Sequence, residues 1–352
     1  MSTKMKAAVL HAPRDVRVDD VDVPSISDPN DVLIKVEMSA ICGTDLHPYE
    51  GRIEIEGGVV LGHEFLGTVV DAGEAVGLVE PGDRAVASCV VNCGHCWTCR
   101  RGDPGRCVGS RIFGLGIALG DLAGAQAEYV VVPNADLTLR KLPEEIRSSD
   151  EDLLFVGDIM TTGYEAVRRA IQPGDVVAIV GAGPVGLCAA MSAIALGASA
   201  TIVVDKIASR LKEAERLGAI PINADEADPV DVVLELTGWR GANVVIDAVG
   251  HESALVSACN LLAAGGTLSV PGVYMEESVN IPFGDLWLKG VKIVTGVANI
   301  VNYMDEVIQL TEAGKLSPAG IISHRMGLSE APEAYRMFEA HEATKIVLDP
   351  SR

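Results

Sequence analysis

The spacing of hydrophobic residues predicts short strands in the N-terminal part of the chain. Over residues 32–38 hydrophobic side chains occupy every second position, which is typical of a strand with one buried face. Similar strands are predicted at 65–70, 84–87 and 127–132, separated by turn-forming residues. This part is therefore predicted to form a compact β-rich domain.

Beyond residue 152 the pattern predicts strands and helices in alternation. The predicted helices cover 157–170, 184–196, 207–217 and 253–262. The predicted strands cover 176–180, 201–204, 243–246, 267–270 and 291–295. This alternation predicts an α/β domain with a Rossmann-type, doubly wound parallel sheet covered by helices on both faces.

The last part of the chain is predicted to return to the first domain. Its predicted elements are helices near 304–311 and 330–340 and a strand at 345–348. We therefore expect the boundaries 1–157 for the β-rich domain, 158–297 for the α/β domain, and 298–352 for the returning segment.

Composition and charge narrow the possible partners. The chain has 352 residues, enough for two domains, and 28 basic against 49 acidic residues give a net charge of −21. Such a surface repels nucleic acids and anionic membranes.

Residues 176–204 contain no charged side chain, but their glycines favour a strand, turn, helix and strand over a membrane helix. No secretory signal is recognised, so we expect a cytoplasmic protein.

A glycine-rich turn within 177–186 has the spacing of a dinucleotide-binding motif. Gly181, Gly183 and Gly186 follow a predicted strand and open a predicted helix, whose N-terminus would face the pyrophosphate. Asp205 ends the next strand, where an acid can bind the ribose hydroxyls and repel a 2′-phosphate. NAD is therefore favoured over NADP, although Arg210 could flank the same ribose. The alternative is a structural turn with a solvated Asp205.

Four cysteines form a short lobe at 93–107. Cys93, Cys96, Cys99 and Cys107 have the spacing C-x2-C-x2-C-x7-C, and four thiolates suit a closed, structural zinc site. An iron–sulfur cluster also takes four cysteines, but no second redox motif supports that alternative.

Two further motifs carry residue types that bind catalytic metals. They are Cys42-Gly43-Thr44-Asp45-Leu46-His47 and Gly62-His63-Glu64. Taken alone, Cys42 would be a small buried residue and His63 a core histidine. Their joint presence, in a chain that also has the cysteine lobe and the glycine turn, favours a catalytic site over separate structural roles.

With these motifs the chain resembles the zinc-containing medium-chain dehydrogenase/reductase family, which includes alcohol dehydrogenases. The resemblance implies a GroES-like catalytic domain, and catalytic zinc on Cys42, His63 and Asp158. Glu64 would lie close behind the metal, either as a group that supports the ligands or as a transient ligand. Taken alone, Asp158 would be a helix cap. Aspartate at position 158, where many members have cysteine, resembles bacterial secondary-alcohol and formaldehyde-dehydrogenase-like members.

The resemblance also implies a proton relay and further cofactor contacts. Thr44 would accept the substrate proton, which would pass by the nicotinamide ribose to a neutral His47 and then to solvent. The implied cofactor contacts are Thr162, Pro184, Val185, Val249, Gly272, Val273 and Lys345, the last at the pyrophosphate. For Val185, Val249 and Val273, ordinary core packing is the alternative.

The implied function is a zinc-dependent, NAD-linked alcohol dehydrogenase with two zinc ions per chain, acting as a homodimer or homotetramer. A formaldehyde or polyol dehydrogenase of the same fold is the alternative within the family. Two further alternatives lie outside this activity. They are a zinc-free reductase of this fold and a non-catalytic nucleotide-binding protein.

Overall fold

The computed structural model describes residues 3–352, and the chain divides into two compact units. The first unit extends to Asp158 and resumes over Asn299–Arg352, and the second unit is Ile159–Ala298. No helix within the described residues is long and apolar enough to cross a membrane.

In the second unit each strand follows a helix, whereas strands of the first unit often follow one another directly. The strands are β1 (Lys4–Ala12), β2 (Asp15–Asp22), β3 (Val32–Ile41), β4 (Val59–Val60), β5 (Glu64–Ala72), β6 (Arg84–Ala87), β7 (Val90–Val91), β8 (Arg111–Ile112), β9 (Tyr129–Val132), β10 (Leu139–Lys141), β11 (Val176–Val180), β12 (Ala200–Asp205), β13 (Ile220–Asn223), β14 (Ala242–Asp247), β15 (Leu262–Val270), β16 (Lys292–Thr295), β17 (His324–Gly327) and β18 (Ile346–Asp349). The helices are α1 (Leu46–Tyr49), α2 (Trp97–Arg100), α3 (Ala135–Thr138), α4 (Asp150–Leu154), α5 (Ile159–Arg168), α6 (Pro184–Ala195), α7 (Ala208–Arg216), α8 (Pro229–Leu236), α9 (Glu252–Leu261), α10 (Phe283–Lys289), α11 (Ile300–Glu312) and α12 (Ala331–Glu339).

The first unit is built on a mixed sheet of seven strands. Its order is β10-β6-β5-β3-β18-β17, and β9 also pairs with β3. Because β18 pairs antiparallel with β3, the C-terminal segment completes this sheet. A smaller sheet, β2-β1-β4, lies in the same unit, and apolar residues of β3, β5 and β9 form a core cluster.

The second unit has the predicted parallel sheet. Its order is β13-β12-β11-β14-β15-β16, with every neighbouring pair parallel. The strand order therefore reverses between β11 and β14, which is where nucleotide sites form in such sheets. The uncharged stretch 176–204 is confirmed as a strand, turn, helix and strand rather than one long helix.

Several elements were absent from the sequence prediction. Strands β1 and β2 carry many charged side chains on their exposed faces, so their apolar pattern is short. The helix predicted from residue 157 begins at Ile159, because Phe155–Gly157 form a tight 3-10 turn and Asp158 leaves helical geometry at φ −150° and ψ −93°. This break separates Asp158 from both neighbouring helical segments.

Candidate metal centres and nucleotide-binding turn

Three chain segments of the first unit bring the predicted metal ligands together. Cys42 follows β3, His63 precedes β5, and Asp158 follows the 3-10 turn. Gly62 has φ +96°, and a side chain there would lie 2.4 Å from Cγ of Gln126. Glycine is therefore required directly before His63 for both conformation and space.

The donor atoms of Cys42, His63 and Asp158 all lie within 4.8 Å of one another. His63 Nε2 and Asp158 Oδ2 are 3.3 Å apart, close to the roughly 3.4 Å expected between two zinc ligands at a tetrahedral angle. Cys42 and His63 are buried, and the Asp158 side chain is 13% exposed. This sulfur, imidazole and carboxylate set fits zinc and leaves a fourth position for substrate.

Asp45 orients His63, a role that the sequence analysis missed. Its fully buried carboxylate places Oδ1 3.0 Å from His63 Nδ1, and Oδ2 accepts a hydrogen bond from the Cys42 amide. A carboxylate on Nδ1 favours the tautomer that leaves Nε2 free for a metal. Gln126 and Tyr335 extend this buried network, since Tyr335 donates to Gln126 and Gln126 lies against Asp45.

The charges of the site favour a bound cation. Burial raises the pKa of the Cys42 thiol, and the Asp158 charge raises it further. Burial opposes protonation of His63, but Asp45, Cys42 and Asp158 outweigh it and raise the pKa of His63 well above its usual value. Without a cation these groups retain protons that a zinc ion would displace.

Lys345 lies in the first unit, beside the carboxylate of Glu64. It is fully buried, its Nζ lies 2.5 Å from Glu64 Oε2, and it donates to the Ile41 carbonyl. The ammonium also lies 5.3 Å from the centre of the Phe155 ring. The ammonium therefore neutralises a buried carboxylate of the first unit, and the expected contact of Lys345 with the pyrophosphate stays a prediction.

Glu64 lies in the same buried environment, directly after the ligand His63. Burial raises the pKa of Glu64 to about 7, against the opposing charge of Lys345. Because the ammonium lies against Oε2, Glu64 is a partner of Lys345 and lies outside the three-donor group.

The two residues expected to move protons lie beside the metal ligands. Thr44 is half-buried in the turn after Cys42, and its Oγ1 is 3.8 Å from the Cys42 sulfur. His47 lies on α1 with 9% of its surface exposed. Burial lowers the pKa of His47, and the charge of Arg52 lowers it further, so the ring is neutral at pH 7.

Cys89 is a second residue that the sequence analysis missed. Its sulfur lies 3.4 Å from Asp158 Oδ1, and the residue is 6% exposed. No motif surrounds it in the sequence, so only its tertiary contact with Asp158 reveals it.

The four-cysteine lobe forms a second donor cluster in the first unit. The sulfurs of Cys93, Cys96, Cys99 and Cys107 lie within 4.8 Å of one another, with Cys96 at 3.5 Å from Cys99 and 3.9 Å from Cys107. Tetrahedral zinc with bonds of about 2.3 Å places sulfurs about 3.8 Å apart. His95 is exposed and lies outside this cluster.

The thiol pKa values of the lobe differ. A hydrogen bond with Thr98 lowers the pKa of Cys96 to about 5, whereas burial and neighbouring sulfurs raise that of Cys99 to about 12. A cation is therefore needed to hold all four as thiolates.

The glycine turn of the second unit joins β11 to α6. Gly181 has φ +99°, and a Cβ at Gly186 would lie 1.9 Å from the Gly181 carbonyl oxygen. A Cβ at Gly183 would meet no atom within 4 Å. Asp205 accepts a hydrogen bond from the Ala182 amide at 2.6 Å, so its carboxylate also holds the turn. Arg210 is half-buried; burial lowers its pKa, and the nearby Asp205 charge opposes that.

The remaining expected cofactor contacts lie at different depths in the second unit. Val249 and Val273 are 50% and 47% exposed, so they are not core residues. Thr162 and Val185 are half-buried, and the Gly272 amide donates to the Asp247 carbonyl. Val249 adjoins the glycine turn, because a Cβ at Gly181 would lie 2.7 Å from its Cγ2.

Similar proteins identify the family. A family model described as the alcohol dehydrogenase GroES-like domain matches residues 28–144, and one described as zinc-binding dehydrogenase matches residues 184–313. A probable zinc-binding alcohol dehydrogenase of Mycobacterium tuberculosis is 37% identical over 97% of this chain and 87% of its own length. The chain belongs to the zinc-dependent medium-chain alcohol dehydrogenase family.

Solved structures support the same assignment. An alcohol dehydrogenase from Thermus sp. ATN1 is 40% identical with a TM-score of 0.95, covering 98% of this chain and 99% of that chain. A protein of Sinorhizobium meliloti described as a zinc-binding dehydrogenase bound to NADP is 29% identical with a TM-score of 0.88, covering 99% and 100%. The predicted GroES-like and Rossmann-type domains are confirmed, and the chain is a zinc-dependent alcohol oxidoreductase.

Proposed function

We propose that this oxidoreductase transfers a hydride between an alcohol and NAD, with its catalytic zinc held by Cys42, His63 and Asp158. The observation that carries the proposal is the convergence of these three donors within 4.8 Å in a buried site. When bound there, zinc supplies a Lewis acid that lowers the pKa of an alcohol.

The residues around this site have distinct roles in the proposal. Asp45 fixes the His63 ring. Thr44 would accept the substrate proton on its hydroxyl oxygen and give up its own hydroxyl proton towards His47. His47 would pass a proton to solvent, since a neutral buried imidazole can take one up near pH 7. A second zinc on the four cysteines would stabilise the lobe without taking part in chemistry.

NAD is the proposed nucleotide because Asp205 ends β12 beside the glycine turn. Its carboxylate would accept the ribose hydroxyls and repel a 2′-phosphate. Titration with NADH and NADPH tests this: NADH should bind more tightly, and Asp205→Ser should reduce the difference. Tighter binding of NADPH by the wild-type chain would make it an NADP enzyme.

A homo-oligomer is proposed from the outer edge strand of the sheet in the second unit. Strand β16 pairs only with β15 among the described residues, and Ile293 on it is 43% exposed. The nearby Trp287 and Leu288 are 74% and 77% exposed. A second copy could pair its own β16 with this edge and cover these apolar side chains.

Molar-mass measurement by light scattering checks the oligomer. The wild-type chain should have at least twice the monomer mass, and Ile293→Asp should shift it towards the monomer. A wild-type monomer at micromolar concentration contradicts this part of the proposal.

The activity is tested by measuring NAD reduction with short primary, secondary and poly-alcohols and with formaldehyde, together with the metal content of the same sample. Turnover should depend on zinc, and Cys42→Ser should abolish it while one zinc per chain remains. Preference for formaldehyde or polyols would select the alternative substrate class. A Cys42→Ser variant with wild-type turnover would remove Cys42 from the catalytic site.

A further inference from the structure

Cys89 is a buried thiol beside a zinc ligand, and the mechanism above gives it no role. Its Sγ lies 3.4 Å from Asp158 Oδ1, within hydrogen-bonding range for sulfur. The donor atoms that lie within 4.8 Å of one another belong to Cys42, His63 and Asp158, so the Cys89 sulfur lies outside this group.

The backbone holds Cys89 against Asp158. The Cys89 amide donates to the Gly157 carbonyl at 2.9 Å. A Cβ at Gly157 would lie 2.0 Å from the Ala87 carbonyl oxygen, so the two segments approach more closely than any other residue would allow. The contact between the thiol and the carboxylate is therefore set by tight packing of both main chains.

The two oxygens of Asp158 face different partners. Oδ2 lies 3.3 Å from His63 Nε2, on the side where the ligands converge, whereas Oδ1 faces the Cys89 sulfur. A carboxylate whose outer oxygen accepts a hydrogen bond cannot rotate freely, and its inner oxygen stays directed at the metal.

We propose that Cys89 is a positioning residue, whose S–H donates to Asp158 Oδ1 and holds Oδ2 as a single-oxygen zinc ligand. The inference rests on the proposed catalytic zinc and assigns to this chain a residue that tunes that site. Cys89 does not touch substrate in this role and does not bind the metal.

The experiment measures zinc affinity by competition with a chelator in Cys89→Ala, Cys89→Ser and wild type. Cys42→Ser identifies the catalytic zinc as the ion that it loses. Cys89→Ala should bind this zinc about 10–100-fold more weakly, as for other lost hydrogen bonds to ligands. Cys89→Ser keeps a donor and should recover most of the loss. Cys259→Ala, which removes a buried thiol from the core of the second unit, is the matched control and should bind zinc like wild type.

Cobalt substitution separates positioning from direct ligation. In Cys89→Ala the d–d bands should shift because Asp158 moves, while the sulfur-to-cobalt charge-transfer intensity from Cys42 persists. A fall of the total sulfur-to-cobalt charge-transfer intensity below that of wild type would make Cys89 a ligand and overturn the proposal.

The remaining outcomes are also decisive. A zinc affinity of Cys89→Ala within twofold of wild type would overturn the positioning role alone. Failure of Cys89→Ser to recover affinity would show that hydrogen-bond donation is not the cause. If wild type and Cys42→Ser contain the same amount of zinc, there is no catalytic zinc on Cys42, and the proposed function itself fails. This outcome is distinguishable from a failure of the positioning role alone.

Discussion

At the scale of single residues, burial decides what each polar group beside the ligands can do. Asp45 and Glu64 are both fully buried carboxylates near His63, yet their partners differ. Asp45 faces the imidazole and orients it, whereas Glu64 is matched by the ammonium of Lys345. A buried carboxylate requires such a partner, because an unpaired charge out of water is strongly unfavourable.

Thr44→Val tests the first step of the proton relay. Valine keeps the shape of threonine but cannot accept a proton, so turnover should fall by orders of magnitude while zinc content and NADH affinity stay unchanged. Steady-state kinetics, metal analysis and NADH titration measure the three quantities. Turnover equal to wild type would remove Thr44 from the relay.

We expect protonation of His47 to limit the rate of the reaction at acidic pH. Since burial and the charge of Arg52 lower the pKa of His47 below its usual 6.5, the ring accepts protons down to a pH below that value. The rate should therefore fall only as pH drops through this lowered pKa. The free energy of unfolding should change in the same direction. The stabilising contribution of the neutral His47 ring is fully present above pH 6.5 and is lost as pH falls through the lowered pKa.

Comparison of wild type with His47→Gln checks this prediction. The variant should be slower at neutral pH and should lack the acid limb in a plot of kcat/KM against pH. An acid limb of the same position and depth in both proteins would assign it to another group.

At the scale of elements, the glycine turn contains two glycines with different tasks. Gly186 lets α6 approach the turn, since a Cβ there would lie 1.9 Å from the Gly181 carbonyl oxygen. Gly183 has open space around its Cβ position and an ordinary φ of −69°. Its lack of a side chain is needed only if a ligand approaches the backbone.

This difference gives a matched pair of variants. Gly186→Ala should lower the free energy of unfolding of the ligand-free protein by about 1–3 kcal/mol, as overpacking does. Gly183→Ala should keep that stability but weaken NADH binding, because its methyl group would occupy the space of the pyrophosphate. Thermal unfolding and NADH titration measure both. Unchanged NADH affinity in Gly183→Ala would contradict a pyrophosphate at this turn.

At the scale of the whole molecule, we expect the cysteine lobe to depend on a bound metal rather than on a core. Trp97 and Val108 in this lobe are 69% and 89% exposed, and α2 has no buried residue. A segment with so little buried apolar surface is not stable by packing alone. Four zinc–sulfur bonds would supply the missing stability.

Cys99→Ser should therefore unfold the lobe locally. Limited proteolysis should cut the variant within 93–107 and leave 159–298 protected, with one zinc per chain lost. Cys42→Ser, which also loses one zinc, is the control and should keep the lobe protected. Equal resistance of the lobe to proteolysis in wild type, Cys99→Ser and Cys42→Ser would contradict a structural metal.

The sequence alone determined features that depend on neighbours along the chain. The four cysteines lie close in sequence, so their spacing already limits them to one ion. The glycine turn follows a strand and opens a helix, and strands β11 and β6 have the predicted bounds because their hydrophobic pattern is continuous. Local periodicity and local spacing are properties that a sequence carries directly.

Only the tertiary structure decided which distant side chains meet. Lys345 is expected at the pyrophosphate from the family resemblance, and only the fold shows that its ammonium also lies against Glu64. Asp45 lies in the Cys42–His47 motif but had no assigned role, and Cys89 belongs to no recognised motif. Their contacts with His63 and Asp158 arise where separate segments pack. The physical reason is that burial and charge pairing are set by the surrounding fold, which brings together residues that sequence spacing does not relate.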